Sequence, residues 1–140
     1  MGKNICILTG SRAEYGLLKG LMSETKNEKS LNLLLFVTGS HLEEKYGNTF
    51  NEIEYDGFTI DEKINMDLDG DRPKDILISM SKELNKFATV VGKYNIDLLV
   101  LLGDRYEILI AAQVALIYNI PICHLCGGDV TEGSYDNSIR

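Results

Sequence analysis

Short unbroken apolar runs alternate along this chain with stretches whose apolar residues recur every three or four positions. The runs Ile5–Leu8, Leu33–Val37 and Leu98–Leu102 are too short for buried helices and suit strands covered on both faces. Between them, Leu17, Leu18, Leu21 and Met22 mark an apolar face on a helix over 13–26. Ile76, Met80, Leu84, Phe87 and Val91 mark a longer helix, from Pro73 in its first turn to about Tyr94. The remaining pattern predicts strands over 4–9, 31–38, 97–102 and 120–125, and a mostly buried helix over 105–118. It also predicts a short helix from Ser40, broken at Tyr46-Gly47-Asn48, and a third strand around Phe58, Ile60 and Ile64. Strands that alternate with helices imply an α/β fold: one parallel sheet with helices on both faces, a three-layer Rossmann-like domain. At 140 residues the chain is one domain by length.

Three of the strand ends carry one pattern. It reads Gly10-Ser11-Arg12-Ala13-Glu14, Gly39-Ser40-His41-Leu42-Glu43 and Gly103-Asp104-Arg105-Tyr106-Glu107. Each copy has Gly, then Ser or Asp, then Glu three positions later, the spacing of a capping box at a helix start. Three helix N-termini along one sheet edge would present unpaired N–H groups and partial positive charge to an anion. Arg12, His41 and Arg105 follow the caps, and Arg is suited to phosphate. The edge is also where ligands sit in open α/β sheets. Neither the dinucleotide fingerprint nor the P-loop is present, because Arg12 replaces the second Gly of the one, and Tyr15 and Gly16 the Gly and Lys of the other.

The formal net charge of −7 argues against nucleic acid or an anionic membrane as partner, so a phosphate must be held by local Arg and helix ends. The uncharged stretch from Ile108 to Cys126 is interrupted by Gln113, Asn119, Pro121 and His124, and reads as a helix stop and a new strand rather than a membrane span. Three cysteines and an apolar strand that begins almost at once, with no room for a signal peptide, point to a reducing cytoplasm. Cys123-His124-Leu125-Cys126 lacks the second ligand pair of a structural zinc site and falls in a strand, so no metal is expected there. Asp67, Asp69 and Asp71 open like a calcium loop, but Arg72 and Ile78 stand where its Gly and Glu belong.

After the 120–125 strand, Gly127-Gly128-Asp129 and Glu132 return to the same sheet edge and bring Asp136 towards Asp104. Carboxylates crowded on a phosphate-binding edge suit proton removal or water activation better than binding alone. The chain ends at Asp136-Asn137-Ser138-Ile139-Arg140 without a helix stop, which predicts continuation in a longer protein.

These segments resemble the hydrolysing UDP-N-acetylglucosamine 2-epimerases that feed sialic acid and related nonulosonic acid synthesis. The likeness lies in Thr9–Gly16, in Val37–Leu42 followed by Tyr46–Thr49, in Gly103–Glu107, and in Ile120 to the end. It implies the N-terminal half of a glycosyltransferase-B-like two-domain fold, with a UDP-sugar held between two Rossmann-like halves. It also implies a homo-oligomer, and no cofactor or metal. By the matching motifs Arg12 and Arg105 would meet the nucleotide, while Asp104 and Asp136 would be acid/base carboxylates at the sugar. Gly10, Ser11, Ser40, His41, Gly127, Gly128, Asp129 and Glu132 would line the rest. The implied reaction expels UDP from C1 with loss of the C2 proton, then adds water to the resulting glycal to release N-acetylmannosamine. A diacetylbacillosamine nucleotide fits the same motifs as an alternative substrate. Cys126 departs from the Glu or His of relatives. Half a site should bind UDP weakly and be inactive alone, because the gain from Arg and helix ends only matches the cost of association.

Overall fold

The computed structural model describes residues 2–140. Strands β1 (Lys3–Thr9), β2 (Leu31–Thr38), β3 (Glu62–Ile64), β4 (Leu98–Leu102) and β5 (Ile122–Leu125) form one sheet in the order β3-β2-β1-β4-β5. Every neighbouring pair is parallel. The helices are α1 (Arg12–Asn27), α2 (Phe50–Tyr55), α3 (Pro73–Val91) and α4 (Tyr106–Ile117). The Rossmann-like α/β class predicted from the alternation is therefore the fold observed.

Alternate residues of each central strand feed two separate cores, as the two-residue period of a strand requires. Cys6, Leu8, Phe36, Leu99 and Leu101 face α3 and α4. Ile7, Leu35, Val37, Val100 and Leu102 face the layer that includes α1. Continuous apolar runs result because both faces are covered. Phe36 is fully buried and meets Phe87 and Tyr94 edge-on, at ring centroid separations of 6.0 and 5.2 Å.

Several local expectations are corrected. The inner face of α1 is Tyr15, Leu18, Met22 and Thr25, whereas Leu17 and Leu21 are exposed. The helix is rotated because Tyr15 reaches Asp56 (2.5 Å) and packs on Phe58. Along α3 the buried positions are Ser79, Glu83, Phe87 and Val91, Leu84 is exposed, and the helix stops at Val91 rather than Tyr94. No α-helix starts at Ser40. Gly39–Leu42 and Glu44–Tyr46 are single 3-10 turns, ended by Gly47, and α2 lies in the segment with the weakest periodicity. The third strand comprises only Glu62–Ile64, and β5 begins at Ile122, two residues later than predicted.

Candidate functional site

The carboxyl ends of β1, β2 and β4 bring the three Gly turns together, but only the first is a capped helix start. Ser11 Oγ accepts from the Glu14 amide (3.4 Å), while Glu14 Oε2 accepts from the Gly10 amide (2.7 Å). At the second turn Ser40 caps nothing; its hydroxyl donates to the Gly10 carbonyl (3.2 Å) and ties the two turns together. At the third turn the N-cap position is Arg105, without a side-chain cap bond, so Asp104 is not a cap. The edge thus holds two α-helix N-termini, those of α1 and α4, rather than three.

Asp104 has another partner. Arg140 places Nε 2.8 Å from Asp104 Oδ2, with Nη2 on the same oxygen. Its Nη1 donates to the Asp129 carbonyl (3.0 Å) and Thr131 Oγ1 (3.2 Å). Arg140 follows Asp136 by one turn, and its amide donates to the Asp136 carbonyl (3.1 Å). One residue therefore joins these segments: the Arg140 guanidinium ties Asp104 to the Asp129 carbonyl, and its amide bonds to the Asp136 carbonyl. Arg140 has no role in the motif pattern, and its spacing of one turn from Asp136 is the sequence signal that points to it. His124 braces the same turn, with Nε2 2.6 Å from the Gly103 carbonyl. Asp104 is about a quarter exposed and can meet a ligand.

Arg12 is exposed and pairs with Glu52 on the surface (3.0 Å), so it is free to swing towards an anion. Arg105 is half-exposed, and its Nε donates to buried Glu107 (2.6 Å). Gly127, Gly128, Asp129 and Glu132 lie on the exposed loop after β5, which Arg140 links to Asp104 through the Asp129 carbonyl. Cys126 leaves the strand with φ +59 and is exposed, and all three cysteines are free thiols. Among the described residues no group of three or more His, Cys, Asp or Glu is arranged to hold a metal ion. None of their helices is long and apolar enough to cross a membrane.

His41 is not at the ligand edge. It is fully buried, with Nε2 3.0 Å from Thr9 Oγ1, Nδ1 2.8 Å from Thr49 Oγ1, and its ring edge-on to Tyr15. Burial lowers its pKa to about 4, so the ring is neutral and braces β1 against the second turn.

Beneath the edge lie three buried carboxyls, of which Glu14 and Glu107 carry the capping-box spacing while Glu83 has no signal in the sequence pattern. Glu14, Glu83 and Glu107 are at most 8% exposed. Burial, and then the nearby Glu107 charge, raise Glu14 to about 7 and Glu83 to about 9. The Thr38 hydroxyl donates to the Ile64 carbonyl (2.6 Å). A protonated Glu83 can then donate to Thr38 Oγ1.

The first two turns leave no room for a side chain at Gly10 or Gly39. Gly39 has φ +59, and a Cβ there would fall 2.6 Å from the Gly10 carbonyl oxygen. Gly39→Ala should cost about 1–3 kcal/mol from backbone strain alone. Urea unfolding checks this, and an unchanged midpoint would show that the two turns are not in contact.

Comparison with known proteins gives the family and the fold. Residues 23–140 match the profile of the UDP-N-acetylglucosamine 2-epimerase family. The chain belongs to that family. A hydrolysing GDP/UDP-N,N'-diacetylbacillosamine 2-epimerase of Campylobacter jejuni is 42% identical over 99% of this chain and 36% of its own length. The polysialic acid biosynthesis protein P7 of Escherichia coli is 40% identical over 99% of this chain and 35% of its own. The UDP-GlcNAc 2-epimerase of Neisseria meningitidis, solved bound to UDP-GlcNAc, shares the fold with a TM-score of 0.76 at 15% identity, over 98% of this chain and 36% of that one. This 2-epimerase-family chain therefore spans about a third of the length of these relatives.

Proposed function

We propose that this chain is the N-terminal part of a hydrolysing UDP-N-acetylglucosamine 2-epimerase, supplying one wall of a sugar-nucleotide cleft and two of its carboxylates. The observation that carries the reading is the Asp104–Arg140 pair at the end of β4, set beside Asp136 and within one residue of Arg105. In this reading the α1 and α4 N-termini with Arg12 and Arg105 draw the diphosphate away from C1. The C1–O bond breaks, and its electron pair leaves with UDP. One of Asp104 and Asp136 takes the C2 proton, and the C2–H electrons form the C1=C2 bond of a glycal. Water then supplies hydroxyl to C1, and a proton returns to C2 on the opposite face. The products are UDP and the free 2-epimeric sugar, a precursor type suited to nonulosonic acid synthesis in the cytoplasm.

In this reading Arg140 orients Asp104 at the end of β4 and ties it to the loop that follows β5. The second half of the cleft, and a homo-oligomer, belong to the longer enzyme in this proposal. A second substrate reading, a UDP-2,4-diacetamido sugar, is favoured by the 42% identity to the Campylobacter enzyme. The test offers both nucleotides to an enzyme of the relatives' length that carries these residues, and follows UDP release and free sugar. Turnover of one or both is expected, and the 140-residue chain alone should give none. Lack of turnover of either by the long form would refute the proposal.

A further inference from the structure

Glu107 is the third Glu of the repeated pattern, yet it caps no helix. Its side chain is 1% exposed and reaches back under the edge to the other two turns. A Cβ on Gly10 would fall 2.5 Å from Glu107 Oε1, and one on Gly39 would fall 2.9 Å from the same atom. The Arg105 Nε donates to that oxygen as well, at 2.6 Å. A single buried carboxylate oxygen is therefore where all three strand-end turns meet. Arg105 is fastened at Nε while its side chain as a whole remains 46% exposed, leaving the rest of its donor fork to a ligand.

We infer that Glu107 is a positioning residue: it locks the three turns onto one buried charge and so aims the Arg105 guanidinium at the substrate's diphosphate. The inference rests on the proposed epimerase reading, in which Arg105 meets UDP. The surroundings support it. Glu14 from α1 and Glu83 from α3 are the other acids facing this point, and both are pushed towards protonation by burial and by Glu107. His41 is held neutral, and Tyr46 lies near Arg105 without a bond to it. Arg105 is thus the cation left to Glu107, and the pair raises the Arg105 pKa further. A carboxylate that only filled space between the glycines would not need its charge.

Glu107→Gln separates the two roles, because Gln occupies the same volume without the charge. In the full-length enzyme it should raise KM for the UDP-sugar about 10–100-fold with kcat within a few-fold, since the Gln oxygen can still accept from Arg105 but without the charge that holds the guanidinium. Glu107→Asp, which keeps the charge on a shorter arm, should recover part of the loss. In the 140-residue chain, the Arg105 Nε–H resonance should shift and exchange faster in Glu107→Gln. An unchanged KM in a folded Glu107→Gln enzyme, or an unmoved Arg105 signal, overturns the inference. Should Glu107→Gln not fold, Glu107→Asp decides it: a wild-type KM at this shorter reach also overturns it. An inactive wild-type enzyme removes the epimerase reading and this inference together, an outcome distinct from an active enzyme indifferent to Glu107.

Discussion

Asp104→Asn should lower turnover of the full-length enzyme by about 10²–10⁴-fold, the usual contribution of a positioned acid/base group. The substitution is nearly isosteric, and its amide oxygen can still accept from Arg140, so the turn after β4 keeps its shape. What is lost is the ability to take and return a proton. KM should change little, because Arg105 and Arg12, rather than Asp104, face the diphosphate in the proposed mechanism. Steady-state UDP release, with circular dichroism and thermal melting on the same sample, separates loss of chemistry from loss of fold. Turnover within about tenfold of wild type would remove Asp104 from the proton-transfer role.

The second large effect concerns stability. Glu83 is fully buried, its Oε2 has no hydrogen-bond partner, and its pKa is raised from 4.5 to about 9. Glu14 is raised to about 7 for the same leading reason, burial. A raised acid holds its proton longer in the fold than in the unfolded chain, so its contribution is full below pH 4.5 and is lost as pH climbs towards the folded value. His41 acts oppositely: lowered from 6.5 to about 4, it costs stability only as pH falls below 6.5. The acids and the imidazole oppose each other between pH 4.5 and 6.5, and above that range the acids act without it.

Unfolding free energy should therefore fall from pH 6.5 towards pH 9, at up to about 1.4 kcal/mol per pH unit for each group still titrating, and the melting temperature with it. Glu83→Gln should flatten the slope and raise stability at neutral pH by on the order of 1–3 kcal/mol. Melts across that range for wild type and variant provide the check. A wild-type curve that is flat or rises above pH 6.5 would show that Glu83 is not held neutral in the fold.

The same residue shows where the sequence was hard to read. The apolar spacing of α3 puts Leu84 on the inner face and gives its neighbour Glu83 no role. The helix is instead turned so that Ser79 and Glu83 lie under the sheet edge while Leu84 is exposed. On α1 the contact of Tyr15 with Asp56 and Phe58 displaces Leu17 and Leu21 in the same way. Helical periodicity locates a helix well but leaves its rotation to the neighbours it packs against.

The capping pattern behaved similarly. One Ser-x-x-Glu copy is a true cap, while Ser40 and Glu107 use the same chemistry for contacts across the fold. Four letters cannot tell a bond to the next turn from a bond to another strand.

From the amino acids alone came the α/β class, the parallel strands, the three Gly turns on one edge, and Asp104, Asp136, Arg12 and Arg105 as the residues to watch. Those features rest on local rules: strands covered on both faces are continuously apolar, and tight turns need Gly. The Arg140–Asp104 pair spans 36 positions, and the meeting of Glu107 with Gly10 and Gly39 joins three separate strands. Burial of Glu14, Glu83 and His41 likewise follows from layers closing over them. Such contacts depend on how distant segments stack, and only the folded chain brings them together.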